Sequence, residues 1–74
     1  MNSQSVPDTF QVQLQIDLVI NVSNRSDDAR RMQAEHWCWH HTKQPWCRRV
    51  LTRLGIVRFE FADLSEGTMF RLAH

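Results

Sequence analysis

The sequence predicts an α+β domain: a three-stranded, mainly antiparallel sheet with two helices on one face, in the order β-α-α-β-β. Three observations predict it. Phe10, Val12, Leu14, Ile16, Leu18, Ile20 and Val22 alternate with Gln11, Gln13, Gln15, Asp17 and Asn21, the period-two signature of a half-buried strand. Between Ser26 and Gly55 the apolar residues recur at helical spacing instead. After Gly55, alternation returns at Val57, Phe59 and Phe61, and again at Phe70 and Leu72.

Each element has its own justification. Met1–Thr9 is a polar leader expected to fray, which leaves residues 10–74 as the domain. A strand over Phe10–Val22 would span roughly 43 Å at ~3.3 Å per residue. A compact chain of this length is only about 30 Å across, so the strand must bend, bulge, overhang or pair with a second chain. Ser26 suits an N-cap, and Asp27 and Asp28 suit the first turn of a helix running to about His41. On that helix Ala29, Met32, His36, Trp39 and His40 share one face, while Arg30, Arg31, Glu35 and Cys38 lie largely on the other. Pro45 suits the first position of a second helix. Trp46, Cys47, Val50, Leu51 and Leu54 would cover its inner side, Arg48, Arg49, Thr52 and Arg53 its outer side, and Gly55 would cap it. Strands at Val57–Phe61 and Thr68–Ala73, joined by a hairpin loop over Asp63–Gly67, complete the sheet. The second strand runs antiparallel to the first if the helices form a hairpin, and parallel to it if Pro45 only kinks one long helix. Gln11, Gln13, Gln15, Asp17, Arg58, Glu60 and Arg71 would face water on the uncovered side.

Composition narrows the function classes. At 74 residues the chain is one domain at most, with a core that has little stability to spare. No apolar run approaches the ~18–20 residues of a membrane span, and Met1–Asp8 is too polar for a secretion signal, so a cytoplasmic location is expected. Two Cys do not make a disulfide framework. Nothing resembles a nucleophile elbow or a phosphate loop, and the one carboxylate pair, Asp27–Asp28, is explained by helix capping. No enzymatic activity and no cofactor are expected.

Three constellations remain. The net charge is +1, yet Lys43, Arg48, Arg49, Arg53 and Arg58 have no acidic residue between them, and Arg outnumbers Lys eight to one. Arg favours desolvated, bidentate contacts and is enriched at interfaces. Arg30, Arg31, Arg48, Arg49 and Arg53 are therefore the candidate partner-binding residues. The plainer reading of the same run is a solvated helix face. The second constellation is His36, Cys38, His40, His41 and Cys47. His36 and His40, four apart, have a ligand spacing, but Cys38 points away from them and no paired knuckle is formed. His36, Cys38, His40 and Cys47 are the candidate zinc ligands; the plainer reading is packing histidines and two unpaired thiols. The third is Trp37, Trp39 and Trp46. Residues 37 and 39 are about 160° apart on a helix, so one Trp is expected in the core and the other at a rim or interface.

The layout of a long amphipathic first strand, a turn into Ser26-Asp27-Asp28-Ala29-Arg30-Arg31-Met32, a helical crossover and a C-terminal hairpin over residues 57–72 resembles many small proteins of phages and mobile elements, several anti-CRISPR proteins among them. The resemblance covers nearly the whole chain, is architectural, and transfers no functional residue. It implies a short, cytosolic, non-enzymatic inhibitor that occupies a surface of a bacterial protein or ribonucleoprotein complex. Most such inhibitors are acidic, whereas this chain is near neutral with a basic segment. The expected function is thus a small protein-interaction module, an inhibitor of a bacterial defence complex acting sterically. The alternatives are a nucleic-acid-binding regulator using the basic helix, and a zinc-stabilised module. A homodimer through the first strand is also open.

Overall fold

A computed structural model describes residues 10–74; the leader over residues 1–9 lies outside the described residues. The fold is α+β, with a three-stranded antiparallel sheet and two helices. The observed order is β-α-β-β-α: β1 (Leu14–Val19), α1 (Arg25–His41), β2 (Trp46–Leu51), β3 (Ile56–Phe61) and α2 (Leu64–Ala73), with one 3₁₀ turn at Thr52–Leu54. This corrects the expected β-α-α-β-β order at two elements. The segment expected as a second helix is strand β2, and the segment expected as a third strand is helix α2. β3 lies between β1 and β2 and is antiparallel to both.

The first strand is shorter than its alternation suggests. Six residues make the ladder, although Ile20 extends it through an N–H donated to the Gly55 carbonyl (3.0 Å). The faces are as the alternation dictates: Ile16 and Ile20 are buried, and Leu14 and Leu18 pack on the core. β3 supplies the centre of the sheet, with Val57, Phe59 and Phe61 fully buried. Each such side chain contributes roughly 1.5–3 kcal/mol of transfer free energy.

Residues 46–51 form a strand because β3 has two edges and only one is filled by β1. Trp46, Cys47, Val50 and Leu51 satisfy a helical spacing, but Trp46, Arg48 and Val50 also alternate with Cys47, Arg49 and Leu51. Pairing with Phe61, Phe59 and Val57 selects the alternation. Gly55, at φ +66°, adopts the left-handed conformation expected of a cap, but it caps the 3₁₀ turn of the β2–β3 connection.

Residues 64–73 form a helix because Asp63 caps them. Its carboxylate accepts the Glu66 N–H at 2.8 Å. Gly67 sits inside this helix, where a Cβ would lie 2.8 Å from Leu14 Cδ2 and 3.2 Å from Phe61 Cδ2. It is therefore a close-approach residue and no hairpin turn. Phe70, fully buried, brings its ring 4.8 Å from Phe59 and 5.1 Å from Phe61.

α1 begins two residues earlier than expected. Asn24, in place of Ser26, accepts the Asp27 N–H at 3.1 Å. Its buried face is also different. Ala34 and Cys38 are the residues with no exposed surface, whereas Met32 and Trp39 are 58% and 74% exposed. Small residues one turn apart let the helix approach the layer beneath it, which the bulkier His36–Trp39–His40 face could not do. Trp37 packs edge-on against Phe70 (5.6 Å). Both helices cover the same side of the sheet, since α2 meets Phe59 and Phe61 while Glu35 of α1 pairs with Arg48, which stands opposite Phe59.

Candidate functional site

The open side of the sheet carries three cross-strand rows: Gln15, Glu60 and Cys47; Asp17, Arg58 and Arg49; Val19, Ile56 and Leu51. Of the residues expected there, Gln15, Asp17, Arg58 and Glu60 are in place, while Arg71 is on α2. The charges neutralise one another. Arg58 grips Asp17 through Nε at 2.9 Å and a second guanidinium nitrogen at 3.3 Å. Glu60 accepts from Arg49 Nε at 3.0 Å and from the Cys47 thiol at 3.1 Å. These donors hold the Glu60 carboxyl below its ordinary pKa. Burial, reinforced by the Glu60 contact, pushes the Cys47 thiol up to about 11.

The five candidate arginines do not form one face. Arg48 and Arg49 are neighbours on a strand and project to opposite sides of the sheet. Arg49 serves Glu60. Arg48 reaches Glu35 on α1, and Arg31 reaches the same carboxylate at 2.6 Å and Asp28 at 2.7 Å. Arg30 pairs loosely with Asp27 (3.6 Å) and donates to the Val19 carbonyl at 3.3 Å, on the β1 side. Arg53 lies exposed beyond the end of β2, with no ion pair among the described residues. The structure thus brings Arg31 and Arg48 together around Glu35 and separates the other three.

The candidate zinc ligands are dispersed as well. His36 and His40 bring their rings to 4.2 Å, tilted by 46°, on the exposed side of α1. Cys38 is in the core, where burial pushes its thiol up to about 12, and Cys47 is on the open face with Glu60. Among the described residues no group of three or more His, Cys, Asp or Glu is placed to hold a metal ion.

What the sequence reading missed is an edge. Ala62 N–H donates to the Pro45 carbonyl (3.0 Å), which fixes the hydrogen-bonding phase of the β2–β3 ladder. By alternation, Cys47, Arg49 and Leu51 then bond to β3, while Trp46, Arg48 and Val50 turn their N–H and C=O groups outward. Among the described residues these groups make no hydrogen bond. The same arithmetic on the other side leaves Gln15, Asp17 and Val19 facing out from β1, and there the Val19 carbonyl is taken by Arg30.

Beside the β2 edge is a shallow cavity of about 650 Å³, lined by Trp39, Trp46, Pro45, Lys43, Glu35 and Arg48 among others. Trp39 is exposed yet braced: it meets Trp46 edge-on at 5.4 Å, and Trp46 stacks on Phe59 at 6.3 Å. The loop leading into β2 is fixed by Glu66 of α2, whose carboxylate accepts the backbone N–H groups of Lys43 (2.8 Å) and Gln44 (3.2 Å). The legible signal for this site was the alternation within residues 46–51, which the helical spacing of the same residues masked.

No family model matches the chain, and no curated protein or solved structure is detectably similar to it. Among the described residues no helix is long and apolar enough to cross a membrane.

Proposed function

We propose that the chain is a small, non-enzymatic protein-interaction module that docks through the β2 side of its sheet. The observation that carries this reading is Trp39: 74% exposed, backed by Trp46 and flanked by arginine. A large exposed aromatic braced by a half-buried one, beside the Arg48 guanidinium, has the chemistry of an interface anchor. Such an anchor loses little conformational freedom on binding. The finer reading is a steric inhibitor of a bacterial defence complex, of the kind phages encode, acting in the host cytoplasm. It rests on the resemblance of the sequence to such inhibitors. The C-terminal hairpin in that layout is a strand followed by a helix here.

Affinity capture from bacterial lysate with the tagged protein, with and without nuclease, tests the reading by mass spectrometry. Protein partners that survive nuclease are expected. Trp39→Ala should weaken their capture about 30-fold or more, the ~2 kcal/mol of a hot spot, with an unchanged fold. Partners that vanish with nuclease would transfer the basic residues to nucleic-acid binding and overturn the proposal.

A further inference from the structure

The β2 edge specifies more than a place of contact. We propose that it takes up an extended acidic segment of another protein as a fourth strand of the sheet. The inference rests on the interaction-module reading and names the chemistry of the partner.

Three observations converge on it. Trp46, Arg48 and Val50 present outward backbone groups at every second residue, the template that strand addition requires. On the β1 edge one of the outward groups, the Val19 carbonyl, is already taken by Arg30. The edge also offers charged donors. From Lys43 to Arg58 the chain has no acidic residue, and Arg48 and Arg49 meet their carboxylates, Glu35 and Glu60, through Nε alone, with side chains 37% and 57% exposed. A carboxylate arriving opposite either would meet the remaining guanidinium N–H donors. Finally, the cavity beside Trp39 and Trp46 offers an apolar seat at one end of the edge.

Register turns these into a pattern. A strand added antiparallel to β2 places residues opposite Val50, Arg49, Arg48, Cys47 and Trp46 in turn. Apolar side chains suit the positions opposite Val50 and Trp46, on the helix side. Carboxylates suit the positions opposite Arg49, on the open side, and Arg48, on the helix side. The segment recognised is therefore apolar–acidic–acidic–any–apolar. A second copy of β2 centred on Arg48 or Arg49 would set Arg against Arg, the arrangement this pattern excludes.

The probe is the peptide Thr-Val-Glu-Glu-Thr-Phe-Thr, with a control in which both Glu are Lys, titrated into the isotopically labelled full chain and read by amide NMR. Shifts and slowed exchange are expected at Trp46, Arg48 and Val50, with the Lys control at least tenfold weaker. Val50→Pro removes an outward N–H without touching the ladder, and should abolish binding while leaving the remaining spectrum in place. Arg48→Glu should reverse the preference toward the Lys peptide, a result that loss of packing alone would not produce. Equal binding of both peptides, or shifts centred elsewhere, would overturn the proposal. So would strong protection of these three amides without peptide, which would mean that the edge is already occupied by this chain or a second copy. If lysate partners are captured by Val50→Pro as well as by the natural chain, the edge assignment falls and the interaction reading stands. If the peptide binds as described but no protein is captured, the converse holds.

Discussion

At the scale of single residues, the least conspicuous positions are the most constrained. Gly67 is in the middle of α2, where glycine costs about 1 kcal/mol relative to Ala through backbone entropy. It is retained because Leu14 Cβ would lie 3.1 Å from any Cβ there, and Leu14 Cδ2 closer still. Gly67→Ala should therefore destabilise the fold by about 1–3 kcal/mol despite its better helix propensity. A urea midpoint equal to or above that of the natural chain would show that β1 and α2 can move apart freely. The two thiols make a second residue-scale case. With pKa values raised to about 12 and about 11, Cys38 and Cys47 are almost wholly protonated at neutral pH. At about pH 7 the thiolate fraction of Cys47 is on the order of one in ten thousand. Both should react with a disulfide reagent far more slowly than glutathione, and Cys47 faster than the fully buried Cys38. Rapid modification of either at neutral pH would contradict the environments described.

At the scale of elements, legibility followed from how many structures a given spacing allows. β1 and β3 were readable because strict alternation over many residues fits nothing but a strand: Ile16, Ile20, Val57, Phe59 and Phe61 are buried as their spacing requires. α1 was readable as a helix, though its buried face was not. Bulk suggested the His36–Trp39 side, whereas the small pair Ala34 and Cys38 sets the approach distance. Residues 46–51 and 64–73 carry spacings compatible with both helix and strand. The deciding information is the vacant edge of β3 in one case and the Asp63 cap in the other, and only the second is local. Asp63 followed three residues later by Glu66 is a helix-start pattern, obscured by Gly67. Most of the fold class was thus in the sequence, while the site was not, because an open edge is a property of pairing. The same Asp63–Glu66 pair links α2 to the site. Glu66→Gln retains the helix but replaces a carboxylate that receives two backbone N–H groups at the entrance to β2. The expected loss is about 1–2 kcal/mol. Amide exchange should quicken at Lys43 and Gln44 before it does in β3. Uniform quickening throughout the sheet would mean that the loop is not separately anchored.

At the scale of the whole molecule, the net charge of +1 conceals a dense internal pairing of opposite charges. Nearly all of it lies on or beside the sheet: Asp17 with Arg58, Glu60 with Arg49, and Glu35 with Arg31 and Arg48. Acid should undo this pairing, and the sign follows from the groups themselves. The Cys47 thiol and Arg49 hold Glu60 below the ordinary 4.5, and Arg31 holds Asp28 below 3.8. Folded pKa values lower than unfolded ones mean that the unfolded chain takes up protons first as pH falls. The stabilisation is therefore complete above about pH 4.5 and disappears as pH drops through the folded values. His74 acts in the same direction but in an earlier window. Contact with Phe70 at 4.8 Å and the accompanying burial lower its pKa from 6.5, so its protonation favours unfolding nearer neutrality. The two windows separate the contributions. Glu60→Gln should lower the urea midpoint at about pH 7, where Cys47 and Arg49 lose their ionised acceptor. Its midpoint should converge on that of the natural chain as pH falls through the lowered folded pKa of Glu60, where Glu60 itself takes up its proton. The slope near pH 6 should be unchanged, because His74 is intact. Midpoint curves that run parallel from neutrality into acid would remove Glu60 from the acid response and leave the open face of the sheet without an electrostatic part in holding β2 against β3.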